Sequence, residues 1–338
     1  MLIIRKFLLF FLLGLLIILF VPIQPSTVIS DFVKPANEKI DQLVDGKTNE
    51  TTLKTPEQQV FAMRNIQMNM TKKQVDAKLG QPVSKIGNEY GTRWYVYHHD
   101  FNEFVMVSFI NDKVHGLYTN QNMITSKNGI KYGSPKDFVR EKLGTPVDEI
   151  KKGHTIYKKE QQDYDIFDKD GIYTTAFYDK YDNHQLMGLM QISHTMENKL
   201  NAQYAAPSKF LSDSFEKGDY NLLNATRVQK GLKPLAYSDS LAQTARKHST
   251  DMEKNHYFDH NDLSGKTPFD RIKADGHQYQ VAAENLAYGQ TSPIYAHHGL
   301  MNSKGHRKNI LNRSVKTIGI GVDFNSDRQP FFTENYIG

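Results

Sequence analysis

Residues 241–260 read LAQTARKHSTDMEKNHYFDH, and they predict a helix that organises the C-terminal part of the chain. Leu241, Ala245, His248 and Met252 follow one another at spacings of four, three and four residues. These spacings place the four side chains in one stripe of a helix, so His248 is expected to face inward. A histidine in such a stripe is more often a hydrogen-bonded core residue than a ligand-binding one. The helix is followed by HYFDH, residues 256–260, which ends in a second candidate site residue, His260.

Residues 213–338 are predicted to form an α/β domain of their own. Helical patterns come first, and two strand patterns, KTIGIGVDFN and PFFTENYIG, close the chain. Between them lies a helix that Ser292 caps, that Pro293 opens and that Gly305 ends just before His306.

Histidines concentrate in this C-terminal region, which holds 7 of the 13 in the chain. Histidine and glutamate side chains that a fold brings together can build a metal site or an acid–base site. Spacing alone does not show that His260, Glu284 and His306 converge, so both interpretations stay open here.

Residues 213–338 contain five motifs in order: Asn224-Ala-Thr-Arg227, His248-Ser-Thr-Asp-Met252, Tyr257-Phe-Asp-His260, Ala283-Glu-Asn285 and Met301-Asn-Ser-Lys-Gly-His-Arg-Lys-Asn-Ile-Leu311. Together these motifs resemble the bacterial branch of the CAP superfamily, and they follow the order and spacing of the family to the end of the chain. That superfamily takes in cysteine-rich secretory proteins, antigen 5 and pathogenesis-related proteins, and is also called SCP-like.

The resemblance implies an α-β-α sandwich with a central groove. In the family, two histidines and two acidic residues line the groove and can hold a divalent metal, often zinc. His260, Glu284 and His306 match three of these positions by motif. Bacterial members often have an acidic residue at the fourth position, where this chain has His298. Three histidines and one glutamate still suit zinc, so the resemblance implies a zinc or other divalent-metal site on these four residues, with His248 also in the ligand groove.

Residues 58–195 contain an internal repeat with an offset of 64 residues. The two copies read MTKKQVDAKLGQPV at residues 70–83 and SPKDFVREKLGTPV at residues 134–147. Aromatic, alternating strand patterns follow each copy, which predicts a pseudo-symmetric α+β domain made of two units. This region resembles the CAP-associated N-terminal domain of some Gram-positive anchored proteins. The resemblance implies no chemistry and identifies no protein partner.

Each repeat copy predicts one short helix with its own start and stop signals. Thr71 in the first copy and Ser134 in the second can cap the helix. Gly80 and Gly144 can end it.

An apolar run near the N-terminus predicts a membrane anchor within residues 1–23. Residues 7–23 read FLLFFLLGLLIILFVPI without a charge, and a membrane span needs about 17–25 such residues. Arg5 and Lys6 precede the run, which predicts a single-pass protein with its bulk outside the cell. A cleaved signal peptide and a secreted product are the alternative. Residues 24–57 are predicted to be a polar spacer and residues 196–212 a linker.

Composition excludes several classes of function. The chain has 338 residues and no cysteine, so it has neither disulfides nor a thiol nucleophile. Its formal net charge is 42 − 37 = +5. The basic residues are spread along the chain, whereas a nucleic-acid-binding protein concentrates them in one patch.

Three functional hypotheses follow from the sequence. The first is a membrane-anchored binding module whose groove takes a small apolar, lipid-like or peptide ligand. The second is a metal-dependent hydrolase of peptide or cell-envelope substrates, with Glu284 as base or metal ligand. The third is a structural or regulatory protein of the cell envelope. Whether the protein is an enzyme stays open at this point.

Overall fold

The structure, a computed structural model, describes residues 51–152, 155–158 and 163–338. Residues Leu53 to Gly338 form one compact unit. The predicted anchor and residues 24–50 of the predicted spacer lie outside the described residues. Within the described part of the chain, no helix is both long and apolar enough to cross a membrane.

Each repeat copy forms a short helix followed by antiparallel strands. The first copy comprises β1 (Phe61–Met63), α1 (Lys72–Leu79), β2 (Ser84–Gly87), β3 (Arg93–His99), β4 (Asn102–Ile110), β5 (Lys113–Thr119) and β6 (Ile124–Ser126). The second comprises α2 (Lys136–Leu143), β7 (Glu149–Lys152), β8 (Thr155–Lys158), β9 (Tyr164–Lys169), β10 (Ile172–Asp179) and β11 (Gln185–Ser193).

The two copies join edge to edge in one seven-stranded sheet. Its strand order is β2-β3-β4-β5-β11-β10-β9, with antiparallel pairing throughout. Strand β5 of the first copy pairs with β11 of the second at the junction, where Leu189 lies opposite Thr119. The residue before each helix bridges to the first residue of the strand at the junction, Thr71 to Lys113 of β5 and Pro135 to Gln185 of β11. The arrangement is therefore pseudo-symmetric.

The helix of the first copy has the predicted ends. Thr71 is its N-cap and forms a capping box with Gln74, in which each side chain bonds the other residue's backbone N–H. Gly80 follows the helix with a φ of 71°, a conformation that favours glycine.

The helix of the second copy begins one residue later than predicted. Pro135, not Ser134, is its N-cap, while the hydroxyl of Ser134 accepts a hydrogen bond from the Lys131 N–H. Proline restricts φ to about −65°, and the φ of −60° at Pro135 is close to that value. Gly144 ends the helix, as predicted, with a φ of 88°.

The rest of the chain alternates helices with a second, smaller sheet. Its elements are α3 (His194–Glu197), α4 (Lys209–Gln229), β12 (Ala236–Tyr237), α5 (Asp239–Lys254), α6 (Pro268–Ala274), β13 (Ala282–Tyr288), α7 (Pro293–Met301), α8 (Lys304–Ile310), β14 (Thr317–Phe324) and β15 (Pro330–Ile337). The sheet order is β12-β14-β15-β13, and only the β12–β14 pair is parallel within this sheet. The two predicted closing strands are β14 and β15.

Helices cover both faces of the smaller sheet, which gives the three layers of an α-β-α sandwich. On one face α5 lies directly on β14. A Cβ at Gly319 would lie 2.3 Å from backbone atoms of α5, and one at Gly321 would lie 2.0 Å from them. On the other face, Ile318, Ile320 and Val322 belong to one buried cluster with Phe215 of α4.

The predicted helix stop at Gly305 is wrong. Helix α7 already ends at Met301 with Asn302 as its C-cap, and Gly305 lies within α8. Asn302 is held from outside the helix, because its side chain donates to the Tyr178 carbonyl and accepts from the Lys180 N–H. His306 therefore lies on a separate short helix.

The repeat sheet and the sandwich share an interface with a continuous core. Trp94 of β3 lies in the same buried cluster as Phe215 of α4. The Asn120 side chain donates 2.9 Å to the Leu222 carbonyl of α4. This contact and the shared core fix the repeat sheet against the sandwich.

Candidate functional site

Glu284 is the centre of a charged cluster in the C-terminal region. It lies on β13, and its carboxylate is almost fully buried. One oxygen is 2.9 Å from Nδ1 of His260, and the other accepts from Arg271 at 2.8 Å. Arg271, on α6, also donates to the His260 carbonyl at 2.8 Å. These bonds fix the loop that carries His260 against the strand that carries Glu284.

The buried carboxylate determines the ionisation of His260. The hydrogen bond with Glu284 raises the pKa of His260, against the lowering that partial burial causes. The imidazole therefore donates through Nδ1. Its side chain is half exposed, and Nε2 has no hydrogen-bond partner among the described residues.

His306 lies beside this pair on α8. Burial lowers the pKa of His306, and the nearby charge on His260 lowers it further. The His306 carbonyl accepts from the side chain of Asn285 at 3.2 Å. Asn309 donates to Asn285 Oδ1 at 2.9 Å and to the Glu284 carbonyl at 3.3 Å. Two asparagines thus fix α8 relative to β13.

A fully buried carboxyl pair lies beneath these asparagines. Glu334 on β15 accepts from Asn285 at 2.8 Å and from the hydroxyl of Tyr336. Burial raises the pKa of Asp219 on α4, and the charge on Glu334 raises it further. Burial also raises the pKa of Glu334. Burial therefore favours the protonated form of each acid more than solvent does.

His248 supports the cluster from inside the fold. It is buried on α5, as the stripe predicts, and its Nε2 donates 3.0 Å to the carbonyl of Asp259. Burial lowers the pKa of His248, so its ring is neutral near pH 7. It positions the residue before His260 and does not itself line an open groove.

Three aromatic side chains pack together in what we call the aromatic patch: the exposed Phe258 and Tyr288, and Phe331, which is buried at 4% exposure. Phe258 is 47% exposed and Tyr288 is 37% exposed, although both are large apolar side chains. The Tyr288 and Phe331 ring centroids are 4.3 Å apart, and those of Phe258 and Tyr288 are 5.7 Å apart. Phe258 lies two residues before His260, so the patch borders the charged cluster.

Family models match both halves of the described chain. Residues 68–203 match the model described as CAP-associated N-terminal. Residues 220–336 match the model described as cysteine-rich secretory protein family. The chain is a CAP-domain protein with a CAP-associated N-terminal domain.

Two proteins of Bacillus subtilis (strain 168) are related to this CAP-domain protein. An uncharacterized protein, YkwD, is 41% identical over 140 residues, a match that covers 41% of this chain and 52% of YkwD. The chain thus spans about half the length of that relative. An uncharacterized membrane protein, YlbC, is 27% identical over 284 residues, which covers 78% of this chain and 80% of YlbC.

Two crystal structures share the fold. An extracellular protein containing an SCP domain from Bacillus anthracis has a TM-score of 0.70 at 23% identity, and covers 85% of this chain and 99% of its own. A cysteine-rich secretory protein from Staphylococcus aureus has a TM-score of 0.63 at 18% identity, with 84% and 97% covered. Likeness at these identities shows the fold alone.

His298 does not join the cluster in the CAP domain, which corrects the prediction of its position. It lies at the interface with the CAP-associated domain, where its ring stacks on Phe177 with centroids 3.9 Å apart. Its Nε2 shares a hydrogen bond of 2.9 Å with the Tyr118 hydroxyl. Burial holds the pKa of His298 well below its usual range, and the neighbouring His297 contributes.

The geometry does not fit a zinc site made of His260, Glu284, His306 and His298. His298 is at the domain interface, and both carboxylate oxygens of Glu284 are already bonded to His260 and Arg271. In the described ranges, no three His, Asp or Glu side chains group as metal ligands.

Sequence reasoning missed Arg271 and the aromatic patch. Arg271 lies outside the motifs. It contacts Glu284 only because the fold places α6 beside β13. Phe258 stands within a quoted motif, but an aromatic residue beside a histidine does not reveal whether its ring is exposed. Phe331 lies in a strand pattern typical of the core, and its ring is buried as that pattern indicates.

Proposed function

We propose that the CAP domain binds a lipid-like ligand with an acidic head group. The ligand's apolar part would lie on the aromatic patch and its head group beside His260. One observation carries the proposal, which is that large exposed aromatic rings border a histidine whose pKa is raised.

The aromatic patch supports the binding of the apolar part of the ligand. Apolar side chains that are exposed together on a soluble domain mark interaction sites more often than scattered ones do. Burial of one large apolar side chain contributes about 1.5–3 kcal/mol. Leu263, which is 70% exposed in the same loop as Phe258, adds further apolar surface.

The charged cluster supports the binding of an acidic head group. A raised pKa increases the fraction of His260 that carries a proton near neutral pH, and Nε2 is available to donate. Hydrogen bonds between charged partners are roughly twice as strong as neutral ones. Arg271 adds a positive charge next to Glu284 and offsets its negative charge.

Titration of the protein with dodecanoate, followed by calorimetry, tests the proposal. We expect saturable binding that Phe258→Ser weakens roughly tenfold, since the lost contact is worth about 1.5 kcal/mol or more. Val83→Ser is the matched control, because Val83 is 54% exposed on the CAP-associated domain. Absence of saturable binding, or equal weakening by both substitutions, would contradict the proposal.

We also propose that residues 7–23 anchor the protein in the cell membrane with the CAP domain outside. The uncharged 17-residue run with cations before it supports this. Two names agree with it, because YlbC is called a membrane protein and the Bacillus anthracis neighbour is called extracellular. In intact cells, external protease should degrade the full chain, and deletion of residues 1–23 should remove the protein from the membrane fraction. Protection from the protease would contradict the orientation.

A further inference from the structure

A cleft of about 580 Å³ opens between the CAP-associated domain and the CAP domain. Its walls are the β2–β3 turn, the connector before α4, the first turn of α4 and the β14–β15 turn. None of the residues of the charged cluster or the aromatic patch lines it. We propose that this cleft binds a small polyanion that carries phosphate or carboxylate groups.

Cations dominate the charge of the cleft. Arg93, Lys199 and Arg328 come from three different segments of the chain, and all three are exposed. Glu89 is the only acidic side chain among the lining residues and is 3% exposed. The formal charge of the lining is therefore 3 − 1 = +2, and the exposed part is positive. Three exposed cations around one opening favour a ligand with more than one negative group.

Asn88 offers a buried donor in the wall of the cleft. Its Oδ1 accepts from Tyr90 N at 3.1 Å, and from the N–H and hydroxyl of Thr92 at 3.0 Å each. Three donors on one oxygen fix the orientation of the amide. Its Nδ2 is buried without a hydrogen-bond partner in the described structure. An unpaired buried donor costs about 1–3 kcal/mol, and a ligand oxygen would remove that cost once a shift of the β2–β3 turn exposes Nδ2 to the cleft.

Helix α4 and Phe210 complete the site. The helix has 21 residues and begins at the cleft, with Ser208 as its N-cap. The N-terminal end of a helix carries a partial positive charge that favours anions. The Phe210 ring lies over Gly87, where a Cβ would be 2.5 Å from it, and the Arg93 guanidinium lies 5.5 Å from its centroid. Phe210 thereby holds one cation at the opening.

The volume agrees with a ligand of small-molecule size. Pockets for such ligands have volumes of about 300–1,000 Å³. A polymer could fill the cleft with only one of its repeating units. The cleft would therefore recognise a few oxyanion groups that lie close together on one small ligand or on one repeating unit of a polymer.

Calorimetric titration of the full chain with tripolyphosphate, and separately with citrate, tests this inference. We expect saturable binding that weakens with added salt, because the cations of the cleft are exposed. The triple variant Arg93→Gln/Lys199→Gln/Arg328→Gln should raise the Kd at least tenfold. Arg313→Gln removes one exposed arginine outside the cleft and should leave the Kd unchanged.

A second variant addresses the buried amide. Asn88→Asp keeps an oxygen for the three donors that hold the turn, but replaces Nδ2 with a second oxygen. It should weaken binding at least tenfold in titrations made well below its own thermal unfolding midpoint, which the buried carboxylate lowers. Binding of tripolyphosphate alone would identify phosphate as the recognised group, and binding of citrate alone would identify carboxylate. Binding of neither probe, or equal binding by the wild type and the triple variant, would overturn the inference.

Discussion

At the scale of single residues, Glu284 determines the electrostatics of the charged cluster. It is buried on β13, yet both of its oxygens have cationic partners, His260 and Arg271. Removal of one partner from a buried ion pair usually leaves an uncompensated charge. The three residues therefore act as a unit, and the protonation of His260 depends on Glu284.

Glu284→Gln should bring the pKa of His260 down towards the ordinary histidine value of about 6.5. In the wild type the folded-state pKa is raised, so the pair stabilises the fold below about pH 6.5 and loses this contribution as pH rises through the raised value. Solvent screening of the half-exposed ring limits the contribution to about 1 kcal/mol. NMR titration of the His260 ring, with His99→Gln to assign an exposed histidine elsewhere, measures the shift. An unchanged pKa in Glu284→Gln would contradict the assigned role.

The positions of some candidate site residues could be predicted from the sequence, and those of others could not. The stripe from Leu241 to Met252 predicted the inward position of His248, because helical spacing decides which face a side chain occupies. The predicted position of His298 was wrong because α7 is buried both against the CAP domain and against the CAP-associated domain. The sequence of a buried helix does not show which of its sides faces the sheet and which faces the other domain.

At the scale of elements, the contact between α5 and β14 decides the packing of the sandwich. A Cβ at Gly321 would lie 2.0 Å from the backbone nitrogen of Arg246. Unlike a side chain, the backbone of α5 cannot change rotamer to avoid a clash. Helix α5 can therefore pack this close to β14 only because the facing residues of β14 are glycines.

Gly321→Ala should reduce the free energy of unfolding by at least about 2 kcal/mol, since overpacking against backbone forces α5 away from the sheet. Gly299→Ala is the matched control, because Gly299 lies within α7 with no atom within 4 Å of an added Cβ. That change should stabilise the helix by about 0.5–1 kcal/mol. Urea denaturation of both variants gives the comparison. Equal stability of Gly321→Ala and the wild type would show that α5 can move without cost.

The ends of elements were predictable where a local signal decides them. Gly80 and Gly144 both end helices, because each adopts a positive φ that other residues rarely adopt. Gly305 failed as a stop signal because it lies in a helix without a positive φ. A contact to Tyr178, distant in sequence, holds the cap at Asn302 instead.

At the scale of the whole molecule, the interface unites the two domains. Arg307 of the CAP domain donates two hydrogen bonds, of 3.0 and 2.9 Å, to Asp179 of the CAP-associated domain. His298 fills the space above Gly188, where a Cβ would lie 2.8 Å from its ring. The repeat predicted two similar units, but the pairing of β5 with β11 and the shared core depend on contacts that no local pattern contains.

The interface should weaken in acid. In the folded state burial keeps His298 neutral, whereas the unfolded chain takes up a proton below about pH 6.5. Stability should therefore fall as pH decreases below that value, by up to about 1.4 kcal/mol per pH unit for one histidine. His298→Gln should be less stable at pH 7 and should show a shallower loss in acid. His99→Gln, an exposed substitution, should keep the wild-type slope. Equal slopes for all three proteins would contradict the assigned burial.

The aromatic patch and His260 are proposed to form one ligand site. NMR of histidine- and tyrosine-labelled protein during dodecanoate titration tests this directly. We expect the His260 and Tyr288 ring signals to shift together and to saturate at one ligand concentration, while those of His99 stay unchanged. Shifts confined to other residues, or none at all, would contradict it.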